Sequence, residues 1–423
     1  MAADRTKLVD RLWRGEAAME QWTAAVAGGV IHEIADDVIA VSTGYLFGNV
    51  TAIRTPDGLV MVDTGSRETA AETLAAIRRW DAGPVHTVIY THGHIDHIWG
   101  ARLIDQEADA KGLPRPRIIA HRNVLGRLAR YDETHGLNSI VMGRQFNTPG
   151  YSFPSDHRRP DEVYDDRLDL TVGDVELSLV HGRGETDDAT FVWLPRKRIL
   201  VSGDFVIWVF PNAGNPRKVQ RYAPDWAVAL RRMQALGAEI LVPGHGPVVS
   251  GAARVADMLG DGAAILESLV GQTRDLMNQG RSLDDILHQV RAPRELLAKP
   301  YLLPKYDDPE FVVRGIWHLY AGWHDGDPAH LKPAPAAELA AEIAALAGGA
   351  ETLGRRAEVL AEAGNLRLAV HLIEWAATAA PASRALQRQR QNIYARCVET
   401  EPSLIGKALF AVARRDAETR AAP

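Results

Sequence analysis

The stretch Thr91-His92-Gly93-His94-Ile95-Asp96-His97 places three imidazoles and a carboxylate within six consecutive positions. It follows an apolar run over 85–90 that reads as a buried strand, so the cluster sits in the turn at a strand end. His92 and His94, two apart, can converge on one ion while Asp96 and His97 face a second. That is the spacing of a two-metal site. Nitrogen and oxygen donors with no thiolate nearby suit zinc, and manganese or ferrous iron accept the same set. Histidines also end strands and fill polar loops, so the reading depends on further donors downstream.

Those donors are present. Glu185 lies in Gly184-Glu185-Thr186-Asp187-Asp188 between two expected strands, Asp204 follows Ser202-Gly203 at the end of a buried run, and His245 stands in Pro243-Gly244-His245-Gly246-Pro247. With His92, His94, Asp96 and His97 they make seven candidate ligands, all at strand ends, where sites in layered folds are built. Val62-Asp63-Thr64-Gly65 closes an earlier strand. Asp63 is either a turn residue or a carboxylate that supports a ligating histidine from behind.

Composition bounds the rest. A chain of 423 residues and 46.3 kDa predicts two domains, and 46% apolar with 24% charged residues is the balance of a soluble globular protein. A net charge of −6 gives no global basic field, which argues against nucleic acid as a partner. The single Cys397 excludes an internal disulfide, and the polar N-terminus lacks an apolar run for export or membrane insertion. A cytoplasmic protein is expected.

Along the chain, residues 7–27 read as an amphipathic helix, and short apolar runs at 30–34, 38–41, 49–54 and 59–62 as an antiparallel meander. Residues 132–161 are rich in Gly, Pro, Asn, Arg and aromatics; a lid, a binding wall and unrecognised regular structure are all open there. The run Phe205-Val206-Ile207-Trp208-Val209-Phe210 after Asp204 is equally a binding wall, core, or a dimer interface. From about residue 255 strand signals stop and helical patterns follow one another to 417.

The run His92-x-His94-x-Asp96-His97, with Val62-Asp63-Thr64-Gly65 before it and Asp204 and His245 after, resembles the metallo-β-lactamase superfamily signature over residues 30 to about 250. The resemblance implies an α/β fold, an αββα sandwich over 1–262 followed by an all-α helical domain over 263–423. Glu185, where most members carry His, resembles the alkylsulfatase branch. That branch holds sulfate with an Asn and an Arg eight and thirteen residues past its bridging carboxylate, and the same count from Asp204 reaches Asn212 and Arg217. The segment Tyr320-Ala321-Gly322-Trp323-His324-Asp325-Gly326-Asp327-Pro328 is similar to part of that branch's dimerisation domain. The branch has Glu as the bridging carboxylate where this chain has Asp204.

What the resemblance implies is a hydrolase of alkyl sulfate monoesters, small anionic substrates, working as a homodimer through its helical half. His92, His94 and Glu185 would hold one zinc, and Asp96, His97 and His245 the other. Asp204 would bridge them with a hydroxide, making Asp96 and Asp204 the catalytic carboxylates; Asn212 and Arg217 would grip the sulfate, and Asp63 would support the cluster. Metal coordination brings the pKa of water to about 7. The alternatives are another hydrolase of this fold acting on lactones, β-lactams, thioesters or phosphate esters, or an iron oxidoreductase on the same ligands.

Overall fold

The computed structural model describes residues 2–422. The first sheet has seven strands in sequence order: β1 (Val30–Ala35), β2 (Val38–Ser42), β3 (Val50–Thr55), β4 (Gly58–Val62), β5 (Val85–Ile89), β6 (Arg117–His121) and β7 (Glu162–Tyr164). The expected meander is β1 to β4, paired antiparallel; β4 to β7 are parallel, and helices Ala70–Trp80 and Ala101–Lys111 make two of the returns. The second sheet contains β8 (Arg167–Val172), β9 (Val175–His181), β10 (Thr190–Leu194), β11 (Ile199–Gly203), β12 (Ile240–Pro243) and β13 (Val249–Ser250). Its one parallel pair, β11 with β12, is bridged by helix Ala223–Ala235.

Alternation along the strands stacks these sheets. In β2, Val38 and Ala40 face inward to meet Leu177, Leu179, Val192 and Val201 of the second sheet, while Ile39 and Val41 face outward against Ala76 and Ile77 of a covering helix. A period of two with both faces buried is what a sheet packed on both sides requires. The outer face of the second sheet is covered by helices Ala223–Ala235 and Ala252–Asn278, whose Trp226, Leu230, Leu259 and Leu266 are almost fully buried. The layers are therefore helix, sheet, sheet, helix, followed by an all-helical region.

One expectation changes and two open readings are resolved. The N-terminal helix is two helices, Ala2–Trp13 and Met19–Val26, separated at Gly15, whose φ of 72° favours glycine. Residues 132–161 contain an eleven-residue helix, His135–Gln145, which continues from helix Asn123–Glu133 after a break at Thr134. In the run 205–210, Phe205, Trp208 and Phe210 are core, packed with the N-terminal helices and Trp226, and Ile207 alone of the six lines a cavity.

The helical region matches its sequence pattern closely, with Ser282, Asp308, Asn365, Ser383 and Ser403 each accepting a backbone N–H at a helix start. Helix Ala252–Asn278 runs through position 262/263, and its core continues to Ile316 of helix Pro309–Ala321. A separate core of Leu353, Ala357, Ala369, Ile373, Leu386 and Ile393 joins the later helices.

Candidate metal centre

The donors come from the ends of four strands on one edge of the sandwich. Turn 91–94 follows β5, Glu185 lies between β9 and β10, Asp204 follows β11 and His245 follows β12. Close approach is enforced by glycine: a Cβ on Gly244 would strike the Asp204 carboxylate and the backbone of Gly203. The turn carrying His245 is pinned from the other sheet, where Asn49 Nδ2 donates to Pro243 O at 2.9 Å and Gly246 O at 2.8 Å.

The structure brings all seven donors together. His92, His94, Glu185 and Asp204 form one group and Asp96, His97 and His245 a second, with one donor atom of each member within 4.8 Å of the others in its group. Asp204 lies between them: Oδ2 is 3.7 Å from His92 Nε2, while Oδ1 is 3.2 Å from His97 Nε2 and 3.4 Å from His245 Nε2. His92 Nε2 and His94 Nδ1 face each other at 2.8 Å.

Orienting contacts lie behind these groups. His97 Nδ1 is 2.7 Å from Asp63 Oδ2, and Thr91 binds the same carboxylate through both its N–H and its hydroxyl at 2.7 Å. His245 Nδ1 donates to Tyr45 O at 3.0 Å, which leaves Nε2 as the donor aimed at the cluster. Asp63 occupies the left-handed region at φ 62°, and so fits the turn that follows β4.

The electrostatics describe a centre built to hold cations. Burial alone would lower His97 and His245, yet Asp204, Asp96 and, for His97, Asp63 raise both, His245 to about 10. Asp204 is held well below the usual carboxylate range against its burial, chiefly by His97 and His245. Burial pulls His92 down to about 4, so its imidazole is neutral, the form that ligates a metal. His97 Nε2, Glu185 Oε2 and Asp204 Oδ1 are buried without a hydrogen-bond partner among the described residues, and all three belong to the two donor groups. A pair of divalent ions fits such a nitrogen and oxygen set, and the one thiol, Cys397, is buried in the helical region.

Some neighbours were not legible in the sequence. Arg221 Nη1 binds Glu185 Oε1 in a buried ion pair and also donates to Asn212 O at 2.7 Å. Asn212 Nδ2 donates to the same Glu185 oxygen at 2.5 Å. Even so, burial pushes Glu185 up to about 7, with Arg221 opposing it. On the other side, fully buried Asp188 receives Gly93 N–H and Arg127 Nε, both at 2.9 Å, and holds the ligand turn from beneath. No local pattern marks an arginine in an irregular loop as the partner of a glutamate 36 residues away.

A cavity of about 520 Å³ opens beside the donors. Helix His135–Gln145 and the chain after it supply Met142, Phe146, Tyr151 and Phe153, and Tyr45, Phe47 and Trp99 close other sides. Among its polar lining groups are Asn212, Lys218, Arg221 and Tyr306. Arg217, expected with Asn212, is not among the lining residues. The loop after Asn212 brings Lys218 and Arg221 to the cavity, while Arg217, near Arg144, has its Nη1 buried without a partner among the described residues.

The loop carrying Asn212 is fastened to the helical region. Gly214 N–H donates to Asp307 Oδ2 at 2.6 Å, and a Cβ on Gly214 would collide with the backbone of Phe311 and Val312. Leu404 and Ile405 N–H donate in turn to Lys305 O at 2.8 Å and Tyr306 O at 3.2 Å.

Known proteins share this arrangement. Residues 43–245 match the metallo-beta-lactamase superfamily and residues 282–419 the alkyl sulfatase dimerisation family. A linear primary-alkylsulfatase of Pseudomonas sp. (strain ATCC 19151) is 30% identical over 339 residues, covering 75% of this chain and 62% of that protein. An (R)-specific secondary-alkylsulfatase of Pseudomonas sp. is 28% identical over 372 residues, covering 80% and 56%. The chain thus spans little more than half the length of these relatives. The solved stereoselective inverting sec-alkylsulfatase from Pseudomonas sp. has the same fold, with a TM-score of 0.82 at 23% identity over 93% of this chain and 66% of that one. The chain thus joins a region that matches the metallo-β-lactamase superfamily to a helical region that matches the alkyl sulfatase dimerisation family.

Proposed function

We propose that the protein is a binuclear zinc hydrolase of alkyl sulfate monoesters. The observation that carries this reading is the placement of the seven-donor cluster at one end of a cavity whose other walls are largely aromatic and aliphatic. Such a site takes an amphiphilic ester, with its charged end at the donors and its alkyl end against Phe146, Tyr151 and Trp99. The names of the related alkylsulfatases support the same substrate class.

His92, His94 and Glu185 would hold one ion and Asp96, His97 and His245 the other, with Asp204 between them. Bound zinc would supply Lewis acidity and a water nucleophile ionised near neutral pH. The chain's own residues do the positioning. Asp63 fixes the His97 tautomer, Tyr45 O fixes that of His245, and Arg221 holds Glu185 in place. Asn212 gives one amide hydrogen to Glu185 and has a second to offer a sulfate oxygen. Arg221 adds a positive charge beside the three carboxylates, which favours an anionic over a neutral ester.

The functional division we infer is 1–262 for the catalytic sandwich and 263–423 for association into a homodimer. A release assay for inorganic sulfate from short and long alkyl sulfates, with zinc-loaded and chelated protein, tests the activity. Zinc-dependent release is expected. Turnover of lactones or phosphate esters with no sulfate released would reject the assignment.

A further inference from the structure

Three cations lie within the five positions 217–221, and only one of them enters the cavity without an anion. Arg221 is engaged by Glu185 and by Asn212 O. Arg217, near Arg144, does not line the cavity, and its Nη1 is buried without a partner among the described residues. Lys218 does line it, and among the described residues makes no ion pair; its Nζ donates to Met142 Sδ at 3.4 Å. A thioether is a weak acceptor and returns little of the hydration that an enclosed ammonium loses.

Resting on the sulfatase reading above, we propose that Lys218 is the cation that anchors the anionic head of the substrate, and that it selects charged over neutral esters. The ammonium stands on the Met142 side of the cavity, while Glu185 and Asp96 face it from the donor side. An ester head placed between them neutralises the lysine and presents its bridging oxygen to the cluster. Burial and the neighbouring Arg221 pull Lys218 down to about 8, so it keeps its proton at neutral pH. A lysine is a compact charge with three rotatable donors, unlike the planar fork of arginine. It therefore accepts a tetrahedral head in more than one orientation, and a sulfonate should bind as a sulfate does.

The test uses the zinc-loaded full chain and calorimetric titration with 1-octanesulfonate, which is not hydrolysed, and with 1-octanol. Lys218→Met should weaken octanesulfonate roughly tenfold or more, and Lys218→Arg by no more than about threefold. Octanol affinity should be unchanged in both. In turnover, Lys218→Met should raise KM more than it lowers kcat. The proposal is overturned if Lys218→Met binds octanesulfonate as the parent does, if it loses octanol equally, or if the parent binds no octanesulfonate. A parent that shows the sulfonate pattern but releases no sulfate from any alkyl ester defeats the functional reading alone. A parent that releases sulfate, with Lys218→Met equal to it in both constants, defeats the lysine's role alone.

Discussion

His97 Nδ1 lies 2.7 Å from Asp63 Oδ2; Asp63 directly follows β4, and His97 stands on the short helix Ile95–Ile98 that follows the neighbouring parallel strand β5. The carboxylate fixes one imidazole nitrogen so that the other, Nε2, points at Asp204 and the second donor group. Asp63 sits at φ 62°, where Asn is the replacement that keeps both shape and backbone. Asp63→Asn should lower zinc affinity roughly 10- to 100-fold while the metal-depleted fold stays intact. Competition with a chelating indicator measures it, and an unchanged zinc constant would show that the contact does not orient the ligand.

Arg221 and Glu185 form a buried pair with side chains 4% and 6% exposed. Removing one member leaves the other enclosed without its partner, a loss of about 3 to 5 kcal/mol. Burial already pushes Glu185 up to about 7, so protonation limits the damage. Arg221→Leu should therefore fall near the lower end, about 3 kcal/mol. Urea unfolding of metal-depleted protein at pH 7 reads this directly; a change below about 1 kcal/mol would place the pair among those of little consequence.

His32 on β1 stacks on Trp22 with ring centroids 5.1 Å apart, and its Nε2 is buried without a partner. Burial, helped by Arg5, pulls the imidazole down to about 4 from its ordinary 6.5. The unfolded chain then binds the proton more readily than the fold does, so stability is complete above about 6.5 and declines as pH falls towards 4. The stability lost over that range is at most about 3.4 kcal/mol. Replacing His32 with Leu should flatten stability against pH between 6.5 and 4 by about one proton's worth, about 1.4 kcal/mol per unit. Urea midpoints across that range, with an unaltered slope, would contradict this.

The parts legible in the sequence share a physical cause. Strands fix the direction of every second side chain, so donors placed at the ends of apolar runs, such as Asp204 and His245, converge because the sheet makes them converge. Residues 212–221 have no such period, and the course of this loop is set by packing against Met142 and Phe311, far away in the chain. Helix His135–Gln145 was obscured by Gly136 and Gly143 and by scattered apolar positions, and Gln145 alone among its residues is fully buried. Its form depends on covering the cavity rather than on its own propensity.

Asp307 holding Gly214, with Tyr306 beside it in the cavity wall, means that the cavity next to the donors is completed by residues from the helical region. The two halves cannot drift apart in sequence independently. A substitution near Leu404 reaches the cavity through two backbone hydrogen bonds to Lys305 and Tyr306, and a cut after position 262 would leave the cavity without that side.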